Sequence, residues 1–237
     1  MRKLLIFGAA ELALDVYSGL CHDQFSIFQN GNIIDLPSDI FLSDSSDSNL
    51  GKFVESYDLP RLNILSCEYL KSEPPLFYII LCSSLRNQSD RAKIRTLMSN
   101  CGHQEISLIS RHAVVNSPIP DGCLISDGVY VGPYANLAEG TIVLFNSVIS
   151  RLTTLMSDTF ISANVTVTAR KTIGTCSFIG AGSTIDANIG SLCVIGSGSV
   201  LEKDLPDYSI YDSATSSPPR IATFSTEEKA LLSRNYL

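Results

Sequence analysis

The sequence predicts a small parallel α/β domain followed by a parallel β-helix. From Ile119 to Ile185 every sixth residue is Ile, Leu or Val, which makes twelve such positions in succession. The first hundred residues show no period of six and alternate apolar strands with helical segments. A chain of 237 residues with 45% apolar side chains can bury one large core or two modest ones.

Residues 1–109 are predicted to form the α/β domain. The apolar runs and helical spacings indicate strands at residues 4–8, 33–36, 62–65 and 77–81, and helices at residues 11–20 and 89–100. Gly102 is the expected stop of the second helix. Alternating strands and helices are typical of a Rossmann-type parallel sheet.

Residues 110–205 are predicted to form the β-helix. A period of six fits neither an α-helix nor an ordinary strand, but it fits one flat face of a β-coil whose inward residues stack on their equivalents one coil away. Three hexads then make one triangular turn. The frame slips once, because the repeat resumes at Ile189 and continues at Ile195 and Leu201. We therefore expect a shortened corner at residues 186–188.

Residues 206–237 are predicted to be a loop and a short helix. Pro206, Pro218 and Pro219 disfavour regular structure. The run Ser225-Thr226-Glu227-Glu228 reads as a capping box that opens a C-terminal helix.

The amino-acid composition indicates which binding partners and which cellular compartment to expect. The chain has 24 acidic and 17 basic residues, a net charge of −7 and no basic run, so nucleic-acid binding is disfavoured. It has no window apolar enough for a membrane span, and we expect a cytoplasmic protein. The odd number of cysteines, seven, without a CxxC pair indicates buried thiols rather than disulfides or a metal site. Of the three histidines, His22 and His103 are expected at the surface.

Several motifs together resemble a known family. They are residues 6–13 (IFGAAELA), Arg91, residues 109–113 (ISRHA), residues 179–183 (IGAGS) and residues 195–206 (IGSGSVLEKDLP). This combination resembles the hexapeptide-repeat sugar acetyltransferases of the sialic acid O-acetyltransferase and bacillosamine N-acetyltransferase type. The resemblance implies a left-handed β-helix, a homotrimer, acetyl-CoA bound along the coil between subunits, and a nucleotide sugar held by the first domain.

The resemblance also implies site residues. Gly180, Gly182, Gly196 and Gly198 would let pantetheine lie close to the coil, and Arg170, Lys171 and Lys203 would neutralise CoA phosphates. Plain turn geometry and a solvated corner are the alternative interpretations of these two sets. Gly8, Ala9 and Ala10 would lie close to the phosphates of the sugar nucleotide, and Asn146 and Arg151 would also contact the substrate. A purely structural role in the corner is the alternative for Asn146.

The resemblance also implies a catalytic His-Asp pair, whose His serves as general base, but this pair is missing. Arg151 and Leu152 stand in its place, and no histidine follows His112. Loss of a general base costs a factor of about 10² to 10⁴ when the nucleophile is an alcohol. An amine with a pKa near 8 is already about a tenth unprotonated at neutral pH, so N-acetylation is favoured over O-acetylation.

The catalytic residue is therefore unknown. Arg151 cannot act as a base because a guanidinium stays protonated, but it can hold a carboxylate or a phosphate. His112 is first a residue of the turn that starts the coil and secondarily a substitute base.

Two other classes of protein are alternatives to an acetyltransferase. A catalytically silent trimeric paralogue, acting as a scaffold or ligand-binding protein, is the alternative function. A β-helical carbonic anhydrase needs three imidazoles on a metal, and the repeat ladder contains no histidine after His112, so no metal is expected. The lone Gly8 without a three-glycine fingerprint disfavours a nicotinamide dinucleotide.

Overall fold

A computed structural model describes residues 3–8, 10–35, 39–43, 74–81, 85–212 and 220–223. The predicted strand at 62–65, the C-terminal helix after residue 225 and Ala9 lie outside the described residues.

The first part of the chain contains a four-stranded parallel sheet. Its order is β4–β1–β5–β6, with β1 at Lys3–Gly8, β4 at Asp39–Ser43, β5 at Phe77–Leu81 and β6 at Gln104–Glu105. Helix α1 spans Ala10–Cys21 and helix α2 spans Leu85–Asn100. The predicted strands at 4–8 and 77–81 and both predicted helices are confirmed. The Rossmann-type assignment stays a prediction, because residues 44–73 lie outside the described part.

The prediction that residues 33–36 form the second strand of this sheet was wrong. Strand β3 (Asn32–Ile34) forms an antiparallel hairpin with β2 (Phe25–Gln29), and β2 pairs antiparallel with β7 (Ser107–Ser110) of the β-helix. The hairpin turns at Asn30 and Gly31, whose φ angles of 49° and 74° are both positive. Asn-Gly in a two-residue loop is a strong hairpin signal, and it places this strand on the β-helix rather than in the parallel sheet.

The rest of the chain winds into a triangular parallel β-helix with three faces. Face 1 contains β7, β9 (Leu124–Ile125), β12 (Ile142–Val143), β15 (Phe160–Ile161), β18 (Phe178–Ile179), β20 (Val194–Ile195) and β22 (Ser209–Asp212), and β23 (Arg220–Thr223) pairs antiparallel with β22. Face 2 contains β8 (Val114–Val115), β10 (Tyr130–Val131), β13 (Val148–Ile149), β16 (Thr166–Val167), β19 (Thr184–Ile185) and β21 (Val200–Leu201). Face 3 contains β11 (Asn136–Leu137), β14 (Thr154–Leu155) and β17 (Thr172–Ile173).

The predicted ladder of aliphatic residues forms the core of the coil. Val131 pairs with Ile149, and Ile149 with Val167, so one turn contains the expected three hexads. The ladder side chains from Ile125 onward are buried in a single cluster, and Ile119 packs against it. Burial of aliphatic surface therefore drives the stacking of the coils.

The predicted short corner is confirmed. Ile173 bridges directly to Ile189, and side chains replace the lost backbone partners. The Thr172 amide donates to Asn188 Oδ1 at 3.0 Å, and the Asn188 amide donates to Asp204 Oδ1 at 2.7 Å.

The three faces differ in what covers them. On face 1, Leu124, Ile142 and Phe160 pack into one cluster with residues of the first domain. The outward side chains of face 3 are polar. Face 2 leaves three large apolar side chains exposed, namely Val114, Tyr130 and Val200. Face 2 is thus the uncovered apolar face of the described chain.

Neither α1 nor α2, the two helices of the described chain, is long and apolar enough to span a bilayer.

Candidate functional site

The turns between faces stack into three columns. We call the turns from face 1 to face 2 the first corner, those from face 2 to face 3 the second corner, and those from face 3 to face 1 the third corner. Backbone hydrogen bonds join successive turns, as between the Asn146 amide and the Asp127 carbonyl oxygen at 3.0 Å. Most turns contain one residue with positive φ, so each corner repeats a single local geometry.

The first corner contains the predicted cofactor glycines and Asn146. Asn146 has a φ of 56°, and Asn tolerates this left-handed conformation better than most residues. Its side chain lies over Gly128, where a Cβ atom would clash with it. Turn geometry therefore accounts for the identity of Asn146.

Turn geometry also accounts for the glycines. A Cβ atom on Gly180 would lie 2.7 Å from the carbonyl oxygen of Ile195 in the next coil. Gly182 and Gly198 each have a φ of 70°, a conformation that glycine adopts without strain. A Cβ atom on Gly182 would meet nothing within 4 Å, so this corner is open on its outer side.

The second corner contains the predicted cations. Arg151 and Arg170 are exposed, whereas Lys171 is partly buried with its Nζ 3.0 Å from Asp186 Oδ1. The Thr168 hydroxyl and Lys171 lower the pKa of Asp186, so this carboxylate stays ionised and neutralises Lys171. Lys203, in a later turn of the same column, is exposed.

The structure does not bring these two sets together within one chain. The glycines and Asn146 lie along one edge of face 2, and Arg151, Arg170 and Lys171 lie along the other. Gly8 ends β1 and Ala10 begins α1 in the first domain. Three separate groups therefore carry the predicted site residues.

His112 lies in the first corner, in the turn that joins β7 to β8. Its Nδ1 is 3.8 Å from Asp127 Oδ2, and Asp127 accepts a hydrogen bond from the Ser110 hydroxyl. The Ser110 hydroxyl oxygen in turn accepts from the His112 backbone amide at 3.0 Å. His112 thus has a carboxylate beside it, but it lies at the opposite edge of face 2 from Arg151.

The prediction that His103 is a surface residue was wrong, whereas His22 is exposed as expected. His103 is buried next to β5, where its Nδ1 accepts a hydrogen bond from the Leu76 amide at 3.3 Å. Packing of the loop after α2 onto the parallel sheet removes this imidazole from solvent.

Sequence reasoning missed a buried charge cluster at the third corner. Arg91 is 0% exposed, with its Nε 3.4 Å from Asp158 Oδ1. Arg95 lies between two carboxylates: its Nη2 is 3.0 Å from Asp158 Oδ1, and its Nε is 2.7 Å from Glu105 Oε2. Burial raises the pKa of Glu105.

This cluster fixes α2 on the coil. Arg91 also donates from Nη2 to the carbonyl oxygens of Ile80 in β5 and Gly140 in the third corner. An arginine in the middle of a helix is normally solvated, so only the packed structure shows that this one is enclosed.

Within the described ranges, no group of three or more His, Cys, Asp or Glu side chains is arranged to hold a metal ion.

No protein-family model matches this chain, and no curated protein sequence matches it. Solved structures do match. A histidine-to-asparagine variant of perosamine N-acetyltransferase from Caulobacter crescentus, in complex with CoA and GDP-perosamine, has a TM-score of 0.71 at 17% identity over 94% of this chain and 98% of that chain. The acetyltransferase domain of PglB from Neisseria gonorrhoeae, in complex with acetyl coenzyme A, has a TM-score of 0.70 at 20% identity over 94% and 99%. WeeI from Acinetobacter baumannii has a TM-score of 0.56 at 18% identity over 94% and 100%.

The fold is therefore that of the hexapeptide-repeat sugar acetyltransferases, with a left-handed β-helix. The match covers nearly the full length of each of these chains, so it includes the first part of this chain as well as the coil.

Proposed function

We propose that the protein is an acetyl-CoA-dependent acyltransferase that transfers an acetyl group to an amino sugar carried on a nucleotide. The observation that carries the proposal is the fold match over 94% of the chain to proteins whose structures hold CoA with GDP-perosamine, or acetyl-CoA. In this proposal Gly8 at the end of β1 and Ala10 at the start of α1 lie near the nucleotide phosphates.

A homotrimer assembled through face 2 would complete the acetyl-CoA site. Face 1 is covered by the first domain and face 3 is polar, whereas face 2 exposes Val114, Tyr130 and Val200. Exposed apolar patches of this kind are typical of interfaces. Packing between copies can bring the first corner of one chain, with Gly180, Gly182, Gly196 and Gly198, next to the second corner of another.

The cations of the second corner are not equivalent in this proposal. Lys203 is exposed and forms no ion pair with another described residue, so it is free to bind a CoA phosphate. Lys171 is already paired with Asp186 at 3.0 Å.

An amine acceptor suits this chain better than an alcohol. At the second corner, where a base is expected, the side chain is the guanidinium of Arg151, which cannot take a proton. His112, the candidate substitute base, lies at the opposite edge of face 2 from Arg151 within one chain. An amine that is partly unprotonated at neutral pH needs no such base.

The missing base is also the observation that favours the alternative function. A chain that keeps the fold and has Arg151 and Leu152 in place of the His-Asp pair could serve as a trimeric scaffold or ligand-binding protein. Such a protein need not release thiol from acetyl-CoA.

Thermal unfolding with acetyl-CoA tests the cofactor site. Ligand at a hundred times its dissociation constant adds about 2.7 kcal/mol to the free energy of unfolding. For a chain of this length, this corresponds to a rise in Tm of about 5 to 11 °C. No shift at millimolar acetyl-CoA would overturn the acyltransferase proposal.

Thiol release then tests the acceptor. The matched pair is a nucleotide-linked 4-amino sugar and its 4-hydroxy counterpart, assayed with the same enzyme and acetyl-CoA. We expect release with the amine only. Equal rates with both acceptors would contradict the amine argument, and binding of acetyl-CoA without release to either would support the silent alternative.

A further inference from the structure

Two arginines of the second corner differ from the other arginines whose side chains the structure describes. Arg91, Arg95 and Arg111 each contact a carboxylate, at 3.4, 2.7 and 2.8 Å respectively. Arg151 and Arg170 form no ion pair within the described part of the chain. The two unpaired guanidinium groups thus lie in neighbouring turns of a chain whose net charge is −7.

These two arginines lie in adjacent coils of the same column. The Arg170 amide donates to the Arg151 carbonyl oxygen at 3.2 Å, and both side chains are exposed. Coils stack about 4.8 Å apart, so two long side chains on neighbouring turns can reach a single anion. The nearest acid of this corner, Asp186, is occupied by Lys171 and the Thr168 hydroxyl. Within the described chain the two guanidinium groups are therefore solvated and available to an external anion.

Two large apolar side chains belong to the same column: Leu152 follows Arg151 in its turn, and Tyr134 lies in the equivalent turn one coil earlier. Tyr134 is 81% exposed and Leu152 is 43% exposed, and their φ angles are 59° and 60°. A bulky residue is disfavoured in this conformation, and the first corner places Gly128 and Asn146 at the equivalent turns. Leu192 at the third corner has a φ of 57° but is only 8% exposed, so the exposure of Tyr134 and Leu152, rather than their backbone conformation, points to a contact outside the chain.

Together these side chains match an acidic sugar. The planar guanidinium fork binds a carboxylate with two parallel hydrogen bonds, and the ring of Tyr134 offers a flat apolar surface to a pyranose. A ligand with a charged group and an apolar ring face can engage both parts of the corner at once.

We infer that the second corner binds a sugar that carries a carboxylate, with the carboxylate on Arg151 and Arg170 and the ring against Tyr134 and Leu152. That this sugar is the acyl acceptor rests on the proposed function. Arg170 is thereby assigned to the acceptor rather than to a CoA phosphate.

The test is a titration of the full chain with glucuronate and, separately, with glucose, in which ligand-observed NMR measures binding. The two probes share a pyranose ring, and C6 is a carboxylate in glucuronate and a hydroxymethyl group in glucose. We expect glucuronate to bind at least about tenfold more tightly than glucose. Arg151→Met and Arg170→Met should each weaken glucuronate binding about tenfold or more, and Arg151→Lys should weaken it less. Arg111→Met removes an exposed, paired arginine and should leave binding unchanged.

Three outcomes would overturn the inference. The first is equal affinity for glucose and glucuronate. The second is a loss of acetyl-CoA affinity, with glucuronate binding unchanged, in the Arg151→Met and Arg170→Met variants, because the anion is then a CoA phosphate. The third is a smaller oligomer of these variants in sedimentation, because the arginines then pair with a second copy.

Failure of the proposed function gives a different result. A wild-type chain that binds no acetyl-CoA contradicts the acyltransferase proposal, whereas its affinities for glucuronate and glucose still decide the anion site.

Discussion

Replacement of Asp158 by Asn removes one charge from the buried cluster between α2 and the coil. Asp158 has a φ of 57°. Asn is close to Asp in shape and tolerates the same left-handed backbone, so the substitution isolates the effect of charge. The side chains that lose their carboxylate partner are Arg91, at 3.4 Å, and Arg95, at 3.0 Å.

The expected loss of stability is large because Arg91 is 0% exposed. Breaking a buried ion pair by removing one partner costs about 3 to 5 kcal/mol, since the other charge stays buried without compensation. Glu105 remains beside Arg95, so we expect a value near the lower end, about 3 kcal/mol. This corresponds to a fall in Tm of roughly 6 to 12 °C for a chain of this size.

The matched control is Asp23→Asn. Asp23 has the same φ of 57° and also pairs with an arginine, Arg111, at 2.8 Å. Its side chain is 76% exposed and that of Arg111 is 52% exposed, so the exposed pair should contribute less than about 1 kcal/mol. Thermal and urea unfolding of both variants, followed by far-ultraviolet circular dichroism at one protein concentration, measure the difference.

Equal losses in the two variants would refute the argument, because burial is the feature that distinguishes the pairs. A loss below about 1 kcal/mol for Asp158→Asn would have the same consequence, since it would mean that water reaches Arg91.

Three further predictions concern pH dependence, thiol reactivity and backbone strain. Burial raises the pKa of Glu105 above its ordinary value of 4.5. The folded state therefore binds this proton more tightly than the unfolded state does, and the wild type should gain stability relative to Glu105→Gln as pH falls through the raised pKa. Urea unfolding at a series of pH values measures this difference. An opposite or absent pH dependence would contradict this sign. Burial raises the pKa of the Cys123 thiol to about 12, so iodoacetamide should label the partly exposed Cys101 well before Cys123 in the native protein; equal rates in peptide mapping would contradict the burial. Leu152→Asn should raise the free energy of unfolding by about 0.5 to 1 kcal/mol, because Asn tolerates a φ of 60° better than Leu. A fall in Tm would contradict this and would show that contacts hold the Leu152 side chain in the native state.

Much of the coil was predictable from residue spacing. Each inward position of a β-helix meets the same surroundings as its equivalent one turn away, so the requirement for a branched aliphatic side chain repeats along the chain. The frame slip before Ile189 predicted the short corner for the same reason. Asn30-Gly31 carries a hairpin signal as well, but an apolar run such as residues 33–36 fits a strand of the parallel sheet equally well.

The candidate site was predictable only in part. The alternative interpretations of the glycines as turn residues and of the cations as corner residues agree with the positive φ angles of Gly182 and Arg170. They did not show that the glycines and the cations lie at opposite edges of face 2. Nor did they show that Lys171 is neutralised by Asp186, 3.0 Å away.

The sequence by itself determined the repeating unit, because the period of the apolar residues is a local property that each turn satisfies in the same way. Tertiary structure alone decided which charges are enclosed and which are free. Arg95 and Asp158 are 63 residues apart in the chain and meet only because α2 packs on the third corner. Arg151 and Arg170 stay exposed because, in the described chain, no element covers the second corner with a carboxylate. Burial and pairing of a charge depend on what the whole fold places around it, and spacing along the chain carries no record of that.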